Sequence, residues 1–88
     1  MQNKLTTREE YLRRINIVTE YIGNHLDEKL DLCKLADLSN LSPFHFHSIT
    51  KAFLGEPIGA YITRMRVETA ARLLRYTDIP VQDIAFKV

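Results

Sequence analysis

Nine consecutive residues constrain this chain more than any others: Leu35-Ala36-Asp37-Leu38-Ser39-Asn40-Leu41-Ser42-Pro43. Two helices can cross steeply and touch only where a small side chain lets their backbones approach, and Ala36 is placed to be that contact. Four residues later the chain needs a position that tolerates a left-handed backbone, for which Asn40 is the best non-glycine choice. Leu41 follows to plug the space beneath the turn. Ser42 is a preferred N-cap, and Pro43 sits at the first helical position, where its missing N–H costs nothing. Phe46, Ile49 and Phe53 then recur at helical spacing up to Gly55, a residue suited to the left-handed end of a helix. The segment reads as helix, tight turn, helix.

The second of these helices has two faces. Phe46, Ile49 and Phe53 commit one of them to the core, while the other carries Phe44, His45, His47, Ser48 and Lys51, which have no core duty. In a helix-turn-helix that outer face is the one offered to base edges in the major groove of DNA.

Eighty-eight residues suit one small domain. No stretch alternates polar and apolar residues long enough to argue for a strand, so the 45% hydrophobic content at helical periodicity predicts an all-α fold. Cys33 is the only cysteine, which rules out an internal disulfide and fits a reducing cytoplasm. Met1–Thr7 is polar and no run approaches eighteen apolar residues, so neither a signal peptide nor a membrane span is expected.

The formal net charge of +1 hides an uneven distribution. Residues 1–41 hold six Lys/Arg against seven Asp/Glu. Residues 42–76 hold five (Lys51, Arg64, Arg66, Arg72, Arg75) against two (Glu56, Glu68), and residues 77–88 one (Lys87) against two (Asp78, Asp83). Positive charge therefore gathers on the second helix of the motif and on the helix after it.

Along the chain, Thr7-Arg8-Glu9-Glu10 has the spacing of a capping box and predicts a helix to about Leu26, with Tyr11, Ile15, Val18, Ile22 and Leu26 as its apolar stripe. Asp31 caps a short helix from Leu32 to about Leu38, and the next runs from Pro43 to about Leu54. A long helix follows from Pro57 or Ile58 to Tyr76, burying Ile58, Tyr61, Ile62, Met65, Ala70, Leu73 and Leu74. Thr77-Asp78-Ile79-Pro80 is a loop, and Val81–Val88 opens a fifth helix. An offset of 49 residues pairs Val81 with Leu32, Ile84 with Leu35 and Ala85 with Ala36, the start of a second copy of the motif.

With Leu35-Ala36, Ser42, the Phe53-x-Gly55 exit, the Tyr61-Ile62 pair, and Arg66 with Ala70 and Leu74, the chain from about Arg8 to Val88 resembles the DNA-binding domain of the AraC/XylS family of bacterial transcription regulators. The resemblance implies two helix-turn-helix units joined by one long helix, with both reading helices in successive major grooves. It implies base contacts at Phe44, His47 and Ser48 and phosphate contacts at Ser42 and Lys51, to which His45 is added. It also implies that Arg66 ties the long helix to the first unit. Asn40 stands where the family has a turn glycine, Ser39 where it has an apolar residue, and Ser48 where a long basic side chain is frequent. Residues 1–7 are expected to be a flexible terminus, 8–76 the first unit with its linker helix, and 77–88 a truncated second unit, with Val88 a boundary rather than a natural end. The stripe Val81, Ile84, Ala85 and Val88 is expected either to be poorly ordered or to meet a neighbouring chain.

Other readings of the same residues compete. His45 and His47 at i, i+2 point apart on a helix and lack a completing Cys or carboxylate, so no metal is expected. Cys33 reads as a half-buried structural residue. Phe44 is either packed against the first helix or presented to thymine methyl groups. Arg64, Arg66, Arg72 and Arg75 read as a solvated face supported by a Glu68–Arg72 pair. Ser42 or Ser48 with a histidine and an aspartate makes no catalytic set without an oxyanion-forming loop, so neither an enzyme nor a cofactor is expected. Two functions remain: a double-stranded DNA-binding module, or a helical module whose same face docks a protein partner such as RNA polymerase or a second copy of itself, with Val81–Val88 a further place for self-association.

Overall fold

Thr6 starts the first helix. Its Oγ1 accepts from the Glu9 backbone N–H at 3.1 Å and donates to Glu9 Oε1 at 2.8 Å, one residue earlier than the spacing of Thr7 and Glu10 predicted. The same T-x-x-E spacing occurs twice in succession here, and Glu10 is taken by Arg13 and Arg14, at 2.7 and 3.1 Å, leaving Glu9 for the cap. The computed structural model describes residues 6–76, the last as backbone alone. Among them the order is α1 (Thr7–Asn24), α2 (Leu32–Leu38), α3 (Pro43–Leu54) and α4 (Ile58–Tyr76), with no strand. The predicted loop 77–80 and the repeat stripe Val81, Ile84, Ala85 and Val88 lie outside the described residues.

Helix α1 stops two residues short of the expected Leu26. His25 leaves the helical conformation, its N–H bonds back to the Ile22 carbonyl, and its Nδ1 lies 2.7 Å from the Tyr21 carbonyl oxygen, so the last turn is closed locally. Leu26 stays buried beyond the helix end. Asp31 caps α2 by accepting from Cys33 N at 2.9 Å. Cys33 itself is exposed, not half-buried, because α2 has seven residues and buries only Leu35 and Ala36.

The turn between α2 and α3 has the expected form. Asn40 is left-handed at φ 60°, the Leu41 N–H returns to the Ala36 carbonyl at 3.1 Å, and Ala36 and Leu41 are both buried. Ser39 is buried too, its hydroxyl donating to the Ala36 carbonyl at 2.6 Å, which satisfies the polar group where an apolar residue would otherwise sit. Ser42 caps α3, and Gly55 ends it at φ 76° with its N–H on the Lys51 carbonyl.

Among the described residues, the buried apolar ones are Ile15, Val18, Ile22, Leu26, Leu35, Ala36, Leu41, Phe46, Ile58 and Ile62. On α3 only Phe46 is a buried apolar side chain; Ile49 and Phe53 are half-buried, and the fully buried partner is Thr50, whose hydroxyl donates to the carbonyls of Phe46 (2.8 Å) and His47 (3.1 Å). A threonine can serve the core this way because bonding within its own helix consumes the donor. On α4, Ile58 and Ile62 are buried and Tyr61, Met65, Ala70 and Leu73 half-buried, whereas Leu74, assigned to the core, is 52% exposed, as is neighbouring Val67 at 62%. Nineteen residues make a helix of about 28 Å, and among the described residues its first turns are the ones that meet the core cluster, through Ile58, Tyr61, Ile62 and Met65.

Two arginines fasten the elements together. Arg14 of α1 reaches the Asn40 carbonyl of the turn at 3.4 Å. Arg66 of α4 donates from Nε to the Leu26 carbonyl at 3.1 Å and from Nη2 to the Glu28 carbonyl at 2.7 Å, tying the long helix to the connection after α1. Glu68 pairs backwards with Arg64 (3.1 Å), not forwards with Arg72, because Arg64 is already drawn to that side by Glu56 at 2.8 Å; Arg72 instead reaches Thr69 Oγ1 at 3.5 Å.

Candidate nucleic-acid interface

The candidate surface is the outer face of α3, and its exposure follows from what the inner face must bury. With Phe46 and Thr50 inside, positions 44, 47, 48 and 51 fall together on the far side at i, i+3, i+4 and i+7. Phe44, His47, Ser48 and Lys51 are all exposed there. Phe44 is 83% exposed, so its ring does not pack against α1 as one reading of it had it. A single exposed apolar side chain is ordinary on a protein surface, so Phe44 bears on function only together with the exposed His47, Ser48 and Lys51 beside it.

The leading end of α3 is built by Ser42 and Pro43. The Ser42 side-chain oxygen accepts from His45 N at 3.2 Å, and its carbonyl accepts from Phe46 N at 2.7 Å. Ser42 is exposed, so its hydroxyl serves as cap and faces solvent at once. His45 is exposed but not isolated: its Nε2 lies 3.2 Å from the Tyr11 hydroxyl of α1, with the two rings edge to face at 5.5 Å.

Cations near this face are few. Lys51 is the one Lys or Arg of α3. Arg8 of α1 stands over the Phe53 ring at 5.6 Å, adding a positive group beside the far end of the helix. Of the α4 arginines, Arg64 is compensated by Glu56 and Glu68, whose carboxylates accept hydrogen bonds from its guanidinium and so raise its pKa, and Arg66 is spent on backbone carbonyls. The positive surplus of residues 42–76 is therefore weaker at the surface than the residue count implies. Among the described residues, no group of three or more His, Cys, Asp or Glu could hold a metal ion, and no helix is long and apolar enough to cross a membrane.

Sequence reasoning missed Tyr11, Arg14 and Arg8, all on α1. Tyr11 was assigned to the core stripe, where its ring does sit half-buried, and its hydroxyl at the rim had no signal in a one-helix pattern. Arg14 is three residues past Tyr11 and contacts the turn 26 residues away, a pairing that only the packed fold discloses.

A family model described as a helix-turn-helix domain matches residues 35–88. The chain is 38% identical over 74 residues to the bifunctional transcriptional activator/DNA repair enzyme AdaA of Bacillus subtilis, a match covering 84% of this chain and 35% of that protein. It is 32% identical over 93 residues to the HTH-type transcriptional activator AarP of Providencia stuartii, covering 99% of this chain and 69% of that protein. Against the regulatory protein SoxS of Salmonella typhimurium the identity is 31% over 71 residues, covering 81% of this chain and 66% of that protein. The chain thus spans about a third of the first of these relatives and about two thirds of the other two.

Proposed function

Because this chain belongs to the AraC/XylS family of helix-turn-helix transcription regulators, we propose that it binds double-stranded DNA by placing α3 in the major groove. Phe44, His47 and Ser48 read bases in this proposal, Phe44 against thymine methyl groups and His47 as a donor to a guanine edge. Ser42, His45 and Lys51 hold phosphates and fix register. The observation that carries the reading is the outward face of α3: an 83% exposed phenylalanine beside His47, Ser48 and Lys51 on a helix whose opposite side is buried. In this reading residues 8–76 make the first unit and 77–88 open a second, a division supported by the 49-residue offset in the sequence. The place of action is the cytoplasm, where such a regulator meets its DNA.

Titration of a short duplex with the chain, followed by chemical shifts and repeated at several salt concentrations, tests this. Expected are shift changes concentrated on residues 42–51 and weak affinity, roughly 0.1 mM to 1 µM at physiological salt, falling as salt rises with a slope of about −0.9 per phosphate neutralised. With so few cations on the face, that slope stays shallow, about −1 to −3. Absence of any change on residues 42–51 at millimolar DNA would return the face to the protein-docking reading, in which RNA polymerase or a second copy covers it.

A further inference from the structure

The contact between Tyr11 and His45 joins the one polar group of the α1 stripe to the first turn of α3. A neutral imidazole carries a single proton, so one ring nitrogen donates and the other accepts, and the neighbour of either nitrogen decides which. Here Nε2 faces the Tyr11 hydroxyl at 3.2 Å. A phenol O–H is a stronger acid than a neutral imidazole N–H, and an imine nitrogen is a far stronger base than a phenol oxygen. The favoured bond therefore runs from the Tyr11 O–H to Nε2, which leaves the proton of His45 on Nδ1.

We propose that Tyr11 is a positioning residue for DNA binding: through its hydroxyl it fixes His45 as the Nδ1–H tautomer, converting an ambiguous ring into a hydrogen-bond donor for a phosphate oxygen at the leading end of α3. The phosphate half of this inference rests on the DNA-binding reading above; the tautomer half stands on the Tyr11–His45 contact and the relative acidities of phenol and imidazole. Two further observations fit it. His45 is exposed, so Nδ1 can be met from outside, and the edge-to-face ring contact holds the imidazole plane in one orientation. The charged groups of the surrounding elements are otherwise engaged or on other turns: Glu10 is held by Arg13 and Arg14, Arg14 also reaches the Asn40 carbonyl, Arg8 covers Phe53, and Lys51 lies farther along α3. Tyr11 contributes shape to the core with its ring and chemistry to the surface with its hydroxyl.

The test uses the 88-residue chain and three variants, Tyr11→Phe, His45→Asn and the two combined, at a pH where imidazole is neutral. Nitrogen-15 shifts of the His45 ring, measured without DNA, are expected to show a protonated Nδ1 and an imine-type Nε2, with Tyr11→Phe moving the population toward Nε2–H. Affinity for a short random-sequence duplex is expected to fall roughly three- to tenfold in Tyr11→Phe, the scale of one hydrogen bond. In the His45→Asn background, where an amide N–H takes the place of Nδ1–H and needs no tautomer, Tyr11→Phe is expected to change nothing. Thermal unfolding of Tyr11→Phe guards against a folding effect. A wild-type ring protonated at Nε2, or an equal affinity loss from Tyr11→Phe in both backgrounds, overturns the proposal. If Nδ1 carries the proton but none of the four proteins binds DNA, the phosphate role falls together with the DNA-binding reading, and the tautomer assignment stands on the resonances.

Discussion

Asn40 offers the most direct check on the geometry of the motif. Its φ of 60° places it in the left-handed region, which costs an L-residue about 1–2 kcal/mol and a β-branched one more. The turn uses its backbone, with Asn40 N on the Asp37 carbonyl at 3.0 Å and Asn40 O accepting from Arg14. A substitution can leave those bonds intact and change only the conformational cost. Glycine removes the left-handed penalty and adds about 0.5–1 kcal/mol of unfolded-state entropy, so Asn40→Gly should lie within about 0.5 kcal/mol of the natural chain. Asn40→Ala should lose about 1 kcal/mol, and Asn40→Val about 1–2 kcal/mol. For a domain of this size each kcal/mol shifts Tm by about 4–8 °C, so the valine variant should melt about 4–16 °C lower and the glycine variant within about 4 °C of the parent. Far-UV circular dichroism melts of the set, run side by side, make the comparison. Equal Tm for Asn40→Gly and Asn40→Val would refute the reasoning, since no left-handed residue distinguishes glycine from valine so weakly.

Capping by Thr6 predicts that Thr6→Ala costs about 1 kcal/mol in chemical denaturation, while Thr7→Ala stays within a few tenths; the reverse order would put the cap at Thr7. Hydrogen bonds from Arg13 and then Arg14 hold the Glu10 carboxyl below its ordinary range. The ion-pair contribution is therefore present above the unfolded carboxylate pKa and lost as pH falls through the lower folded value, and Glu10→Gln should flatten that part of the stability-against-pH curve. Lys51→Ala should weaken binding to all duplexes alike and reduce the salt slope by about one, whereas His47→Ala should cost about 1–3 kcal/mol on a preferred site alone, outcomes that titrations at several salt concentrations separate.

What the sequence disclosed was whatever depends on neighbours along the chain. The N-caps Asp31 and Ser42, the left-handed Asn40 and Gly55, and the bounds of α2, α3 and α4 each follow from a few adjacent residues, and they stand where local chemistry puts them. Two local rules in competition produced the errors at α1: overlapping T-x-x-E spacings shifted its start, and a histidine bonding back to its own helix shortened its end. Two buried polar residues carry no signal in the apolar periodicity, for a different reason. Thr50 and Ser39 are buried because each hydroxyl bonds to a carbonyl three or four residues back, whereas a hydropathy pattern counts them as surface. The exposed face of α3 was legible by subtraction from its core face. The partners that α1 lends it, Tyr11 to His45 and Arg14 to the turn, join residues 34 and 26 positions apart and had no trace in either helix alone.

The clasp of Arg66 on the Leu26 and Glu28 carbonyls sets an angle as well as a contact. Between Arg66 and Arg75 α4 advances by about 13 Å. Over that arm a tilt of about 10° about the clasp displaces the far end by roughly 2 Å, close to half the rise of one helical turn. The direction in which α4 points is thus governed by two carbonyl oxygens of the connection after α1, about 40 positions earlier in the chain. In the proposed DNA-binding arrangement, a residue there that exerts no pull on DNA would still govern the angle α4 makes with α3. Such a pivot is a place where changes of spacing between two points of contact can arise without altering either point.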